Sequence, residues 1–468
     1  MPDAMTCDRL TPLDATFLEL EEADEAAHMH IGALMIFEAR PGLPPTLKRA
    51  RRFLEKRIDA LPRYRCRLSE PHTGGLRWPA WVIDPDFDIA AHVGQVELPA
   101  PGGEAELLDW AAYYWSQRLD RSRPLWEARL VTGLDGNRWA VATKTHHALV
   151  DGVGAIDVTH VLLDTVRKPR RRQAPLPAPQ ASSSPGPLDL LTGAAHAGLY
   201  AARHPGRLRD AFLQAKAMAD LVLHDEIIAA PHCSLNTPLS PNRRYRIVRA
   251  DLAELKRVKE GLGGTVNDVI LAAVTGGLRA LLTERGDDVP APGLRAMVPV
   301  NLRTAAERFG LGKKVSTLFV HLPVMEPDPG HRYLLVREDT ADVKRGRQAS
   351  GAGELLAIGG LAPPILHSVF ARSALATRLF NVTVTNVPGP QMPLYALGAQ
   401  MEEVWPLVPL AADHSLGIAV VSYDGKVFFG LNADQQATDL DALARGIEVA
   451  ITELAELAAT GQALPALS

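Results

Sequence analysis

Two adjacent histidines carry the clearest chemical signal in this sequence. They stand in the segment Thr145-His146-His147-Ala148-Leu149-Val150-Asp151-Gly152, after a β-rich run that predicts a strand over residues 139–145. A neutral imidazole can take a proton from a hydroxyl group near neutral pH. The carboxylate of Asp151 can orient a ring or fix a turn, and Gly152 permits a sharp return of the backbone. Because neighbouring strand residues point to opposite faces, we expect one histidine to face a cleft and the other to pack inside.

Two other interpretations of this segment stay open on the residues alone. Adjacent histidines can end a strand without any chemical role. His146, His147 and Asp151 are also residue types that bind zinc. However, adjacent side chains diverge, and the sequence here lacks the helical ligand pair of zinc hydrolases, so we expect no metal.

Further motifs surround the histidines and give the segment a context. HHxxxDG is typical of the acyl-CoA-dependent acyltransferase superfamily, which includes chloramphenicol acetyltransferase, carnitine acyltransferases and condensation domains. Over nearly its whole length the chain resembles the bacterial wax ester synthase/diacylglycerol acyltransferase family. The resemblance rests on residues 10–17 (LTPLDATF), 81–88 (WVIDPDFD), 123–127 (RPLWE), 264–268 (GTVND), 297–303 (MVPVNLR) and 385–390 (TNVPGP).

This resemblance implies a fold and a reaction. The fold is α/β (mixed α+β), with two chloramphenicol-acetyltransferase-like domains, each a mixed sheet flanked by helices, and the active site at their interface. The reaction moves a long-chain fatty acyl group from acyl-CoA to diacylglycerol, to a long-chain alcohol, or to both. His147 is the implied general base for direct transfer. No cofactor is expected, and acyl-CoA takes part as a co-substrate.

The resemblance also implies a wider site. Its catalytic residues are His147, His146, Asp151, Gly152 and Asn267, the last stabilising an oxyanion or positioning substrate. Its substrate-binding residues are Asp268, Thr385, Asn386, Pro124, Leu125 and Trp126. Each group also has a plainer structural interpretation. Asn267 and Asp268 are ordinary helix caps, residues 385–390 turn the chain, residues 124–126 pack beneath the histidine strand, and His146 and Asp151 hold local structure.

Two rival functions remain beside this one. An acyltransferase of the same superfamily could act on a different hydroxyl or amine acceptor. Alternatively, the chain could be a catalytically silent protein that binds a lipid surface. The motifs at residues 124–126, 267–268 and 386–390 favour the lipid acyltransferase over the first rival, and intact His147 and Asp151 favour it over the second.

Composition limits the partners and the compartment. The formal net charge is −4. Proteins that bind double-stranded nucleic acid carry a marked excess of basic residues, so nucleic acid is not an expected partner. Three cysteines cannot build a disulfide framework, and a reducing cytoplasm is expected. We expect Cys66 to lie on an exposed strand. No signal peptide or membrane span is predicted, and attachment to the inner membrane or lipid droplets would be peripheral.

The elements that must position these residues divide into two parts. We predict an N-terminal domain over residues 1–165, a basic and proline-rich connection with helices over 166–235, and a C-terminal domain over 236–468. Helical spacing marks residues 47–61, 104–119 and 265–282, and strands are predicted at 31–37 and 139–145. Asp424-Gly425 predicts a hairpin between two β-rich runs. The uncharged residues 355–371 could line an acyl tunnel, touch a membrane surface or form ordinary core.

Overall fold

The computed structural model describes residues 6–40, 42, 44–69, 79–149, 161–168, 230–289, 291–301, 315–350, 379–436 and 439–460. The strands are β1 (Thr6–Arg9), β2 (His30–Phe37), β3 (Cys66–Leu68), β4 (Ala80–Ile83), β5 (Val93–Glu97), β6 (Trp126–Thr132), β7 (Trp139–His146), β8 (Arg243–Asp251), β9 (Leu294–Asn301), β10 (Val315–Leu322), β11 (Val382–Pro388), β12 (Tyr395–Ala396), β13 (Ala399–Leu407), β14 (Leu416–Tyr423) and β15 (Lys426–Asp434). The α-helices are α1 (Pro12–Ala23), α2 (Leu47–Ile58), α3 (Ile89–His92), α4 (Glu104–Ser116), α5 (Leu252–Leu262), α6 (Val266–Arg285), α7 (Pro329–Ser350) and α8 (Leu440–Thr460).

Two six-stranded mixed sheets form the frame of the molecule. The first has the order β12-β13-β2-β7-β6-β5, and the second has the order β10-β9-β11-β14-β15-β8. Most neighbours are antiparallel, but β5 pairs with β6, and β11 with β9 and β14, in parallel. The predicted mixed α/β class is therefore confirmed.

The first sheet takes two of its strands from the C-terminal part of the chain. β13 pairs antiparallel with β2, from Met401 opposite Phe37 to Leu407 opposite Gly32, and β12 pairs with β13. These two strands fall within the predicted C-terminal domain, residues 236–468, yet they join the first sheet, and the domain bounds stay a prediction. Composition reveals a linker, but it carries no information on which sheet edge a later strand joins.

Helix α6 lies in the buried core beside the second sheet. Val269, Leu271, Val274 and Leu278 of α6 lie in one buried cluster with β-strand residues such as Ile418. α6 is long and apolar enough to cross a membrane, but most of it is buried within the fold, as expected for a core helix. Thr265 caps its start and Gly286, in the left-handed conformation, ends it.

A small third sheet adjoins the histidine segment. β4 lies between β1 and β3, and a disulfide joins Cys7 of β1 to Cys66 of β3. The prediction of an exposed Cys66 is wrong, since the residue is 1% exposed and packs in a cluster with Trp81 and Leu149. A three-residue strand gives no alternation long enough to reveal its buried face.

Candidate active site

The two histidines stand where β7 ends and turns. The His147 N–H donates to the Met29 carbonyl at 2.8 Å, which prolongs the pairing with β2 by one residue. The Leu149 N–H then donates to the His146 carbonyl at 2.9 Å and closes the turn. His146 is buried, whereas His147 is half-buried. The expected packing of one histidine inside the fold is confirmed for His146, and the expectation that His147 faces a cleft stays a prediction.

Helix α1 supports the ring of His147. The aromatic ring of Phe17 stacks on the imidazole, with ring centroids 4.0 Å apart and an interplanar angle of 23°. This contact and the Met29 hydrogen bond fix the ring and the backbone of one residue from two sides. His147 is therefore held in a defined position while part of its surface stays accessible.

Both ring nitrogens of His146 form hydrogen bonds within the protein. Nδ1 accepts the Ala148 N–H at 3.0 Å, and Nε2 lies 2.8 Å from Oε2 of Glu21. Because Nδ1 is an acceptor, the ring proton must reside on Nε2, which donates to the carboxylate. Burial lowers the pKa of His146, and the attraction of Glu21 offsets this only in part. His146 is thus a neutral ring hydrogen-bonded to backbone, as its structural interpretation predicted.

Glu21 is a site residue that the sequence analysis did not identify. Burial raises its pKa, but hydrogen bonds from His146 and Arg121 and the charges around it outweigh burial and hold the pKa well below its usual range. Arg121 Nη2 lies 2.9 Å and Arg118 Nε 3.4 Å from its oxygens. On sequence, Glu21 is one of several acids among the first thirty residues, a segment with no predicted element. The one available signal was its spacing of four residues from Phe17, which places both on one helix face.

Two more buried histidines surround the same carboxylate. His30 Nε2 lies 3.7 Å and His28 Nδ1 3.9 Å from Oε1 of Glu21. Burial lowers the pKa of both rings, to about 4 for His28. In the ranges that the structure describes, no group of three or more His, Cys, Asp or Glu residues has the geometry of a metal site.

The residues Pro124, Leu125 and Trp126 pack beside the end of the histidine strand, where the neighbouring strand β6 begins. Pro124, Leu125 and Trp126 are all buried. The Leu125 carbonyl accepts the His146 N–H at 2.9 Å, and Trp126 Nε1 donates to the Tyr64 carbonyl at 2.8 Å. Their structural interpretation is confirmed, while their assignment to substrate binding stays a prediction.

The second sheet brings Asn267 and Asn386 together. Asn386 Nδ2 donates to Asn267 Oδ1 at 3.2 Å. Asp268 completes a capping box, since one of its oxygens accepts from Thr265 and the other from the Thr340 hydroxyl. Asp268 therefore holds the start of α6, and its role in substrate binding stays a prediction.

Thr385 lies on the opposite face of β11 from Asn386. It pairs with Ala419 on the face that continues to Val421, which packs in the cluster of the first sheet. Asn386 pairs with Val420, which packs among the helices of the second sheet. The two residues that the sequence grouped as one substrate-binding unit thus face different layers.

Several predicted features lie outside the described residues. They include Asp151 and Gly152, the connection over 169–229 and the apolar segment 355–371. The catalytic roles assigned to Asp151 and Gly152 stay predictions.

Comparison with known proteins decides the family. Residues 10–270 match the model of the wax ester synthase/diacylglycerol acyltransferase catalytic domain, and residues 311–455 match the C-terminal domain of the same family. The chain belongs to the wax ester synthase/diacylglycerol acyltransferase family. The resemblance predicted from the spaced motifs is confirmed.

Relatives within the wax ester synthase/diacylglycerol acyltransferase family match along nearly the whole chain. The probable diacylglycerol O-acyltransferase of Mycobacterium tuberculosis H37Rv is 33% identical over 459 residues, 95% of each chain. A second probable diacylglycerol O-acyltransferase, from the CDC 1551 strain, is 33% identical and covers 91% of this chain and 93% of its own.

Solved structures agree with this family. The wax ester synthase/diacylglycerol acyltransferase of Marinobacter aquaeolei VT8 has a TM-score of 0.67 at 27% identity, covering 96% of this chain and all of its own. The first condensation domain of the CDA synthetase has a TM-score of 0.61 at 19% identity, over 99% and 98% of the two chains, and shows the shared fold alone.

Proposed function

We propose that this protein is an acyl-CoA-dependent O-acyltransferase that makes triacylglycerol, wax ester or both. The observation that carries the proposal is the position of His147, a half-buried residue fixed at the turn after β7 by Phe17 and the Met29 carbonyl. A ring so placed can meet a hydroxyl group without reorganising the strand.

The proposed reaction needs one proton acceptor and no covalent enzyme intermediate. His147 takes the hydroxyl proton of the alcohol, and the oxygen attacks the thioester carbonyl carbon of acyl-CoA. The tetrahedral intermediate then collapses as the carbon–sulfur bond breaks. The sulfur leaves as CoA and recovers a proton from the imidazolium, so His147 returns to its neutral state.

The names of the relatives favour diacylglycerol as the acceptor, and the name of the Marinobacter structure adds the long-chain alcohol. Both acceptors and the acyl chain are poorly soluble in water. We therefore propose that the working enzyme acts at a lipid surface, the inner membrane or a lipid droplet. The Cys7–Cys66 disulfide argues against the reducing compartment that the cysteine count predicts.

One competition assay tests the proposal. The purified protein is given palmitoyl-CoA with equal amounts of dioleoylglycerol and hexadecanol, CoA release is followed, and the neutral lipids are separated. We expect triacylglycerol, wax ester or a mixture. CoA release without either ester would contradict the proposed acceptors, and no CoA release would favour a lipid-surface binding protein.

Two histidine variants locate the base. His147→Ala should abolish ester formation with an unchanged circular dichroism spectrum, since the ring is not part of the core. His146→Ala should reduce turnover less. Near-normal activity in His147→Ala would overturn the assignment, and equal damage in both would mean that the two rings act together.

A further inference from the structure

Helix α1 carries two side chains that reach the histidine pair. Phe17 stacks on His147, and Glu21 accepts the hydrogen bond of His146. The two residues are four apart and so lie on one face of the helix, while the two histidines are adjacent at the end of β7. One face of α1 therefore contacts both histidines, Phe17 contacting His147 and Glu21 contacting His146.

The Glu21 contact extends to the backbone that follows the base. Glu21 fixes the proton of His146 on Nε2, which leaves Nδ1 free to accept the Ala148 N–H. With the ring in the other tautomer, Nδ1 would carry a hydrogen pointed at that N–H, and the turn would lose a hydrogen bond. His147 lies between the two ends of this link, so a change in the turn moves its ring.

The setting of Glu21 suits a fixed carboxylate. Its side chain is 3% exposed, Arg118 contacts Oε1, and Arg121 and His146 both contact Oε2. A buried carboxylate with these partners stays ionised and cannot turn away without leaving its charge unpaired. It therefore provides a constant hydrogen-bond acceptor.

We propose that Glu21 is a positioning residue for the acyl transfer reaction, acting through the Nε2–H of His146 to hold the turn that presents His147. The inference rests on the proposed function of His147 and adds a residue on α1 to it. Glu21 touches His146 and not the reacting atoms, so its removal should slow turnover rather than weaken substrate binding.

A double-mutant cycle tests this route. Glu21→Ala and His146→Ala should each lower kcat about 10- to 100-fold, the loss expected when a reacting group is misplaced by about 1 Å. KM for palmitoyl-CoA should stay near the wild-type value. Because both residues act on one link, the double variant should lose no more kcat than either single variant. Multiplying losses, or wild-type kcat in Glu21→Ala, would overturn the proposal.

Two further variants separate positioning from general destabilisation. Glu21→Gln keeps an oxygen that can accept from His146 and should recover part of kcat relative to Glu21→Ala. Glu22→Gln is the matched control, since Glu22 is exposed, lies next in the chain and also pairs with Arg121. It should keep wild-type kcat. Equal loss in both glutamine variants would show a charge effect on the whole helix and contradict the inference.

A measurement on the wild-type protein covers the case in which Glu21→Ala does not fold. Nitrogen-15 NMR of labelled histidine reports which ring nitrogen carries the proton, and loss of the signal in His146→Ala assigns it. We expect the proton of His146 on Nε2, and a proton on Nδ1 or on both nitrogens would overturn the proposal. If the wild-type protein forms no ester at all, the proposed function fails, whereas an active wild type with full kcat in Glu21→Ala refutes the positioning role alone.

Discussion

Acid should destabilise this protein through the buried ring of His28. Its pKa is lowered from 6.5 to about 4, because burial disfavours the charged ring and Arg243 repels it more than Glu21 attracts it. Arg118 and Lys144 also repel the charged form, and the ring of His30 stacks beside it. Between these two pKa values the unfolded chain binds a proton that the folded protein does not bind. The stabilisation from the neutral ring is therefore complete above pH 6.5 and is lost as the pH falls toward 4.

The size of the effect follows from the shift. Each pKa unit corresponds to about 1.4 kcal/mol, so the full loss from His28 approaches about 3 kcal/mol, of which about 2 kcal/mol falls between pH 7 and pH 5. His30 acts in the same direction, because burial lowers its pKa as well.

Urea unfolding followed by tryptophan fluorescence measures this loss. Wild type and His28→Gln are compared at pH 7 and pH 5, since glutamine keeps a polar side chain that does not titrate. The wild type should lose about 2 kcal/mol more than the variant over this interval. His232→Gln removes an exposed ring and should behave as the wild type does. An equal loss in His28→Gln and wild type would refute the reasoning.

Three further predictions concern other parts of the molecule. Cys66→Ser removes the disulfide to Cys7, which closes a loop with a sequence separation of 59 residues. The free energy of unfolding should fall by about 4 kcal/mol. A urea midpoint equal to that of the wild type would contradict this. Arg57→Ala leaves the buried carboxylate of Asp164 without its partner, at 2.7 Å in the wild type, and should cost about 3 to 5 kcal/mol. Thermal unfolding measures this loss, and Arg57→Leu with Asp164→Leu should recover part of it. Asn267→Ala should lower kcat about 100- to 1,000-fold at unchanged KM if its amide stabilises the oxyanion, and initial rates that match the wild type would exclude that role.

Local patterns in the sequence predicted the frame of the site well. The strand before the histidines and the hairpin at Asp424-Gly425 were both predicted. At that turn Asp424 and Gly425 have positive φ angles of 45° and 83°. Helices α2 and α4 were placed correctly at their starts but predicted three residues too long, to 61 and 119 instead of Ile58 and Ser116. Periodicity and turn chemistry act over a few residues. They therefore predict that a helix exists and where it starts more firmly than where its last turn ends.

Contacts between distant segments could not be predicted. Glu21 meets His146 across a separation of 125 residues, and the composition of α1 does not single it out among Asp14, Glu19 and Glu22. The disulfide of Cys7 with Cys66 and the pairing of β13 with β2 likewise depend on how whole layers stack. Such partners follow from the tertiary fold, which a single sequence read locally does not contain.

The pairing of Met401 with Phe37 makes completion of the first sheet depend on a strand that is synthesised late. β2 leaves the ribosome early, yet its outer edge has no partner until residues 399–407 have been made. For most of translation the nascent first half must carry an open strand edge, which is a surface that other chains can pair with. Completion of the sheet that carries the histidine turn is thereby tied to the arrival of the last part of the polypeptide, and a truncated product would retain an unfinished first sheet.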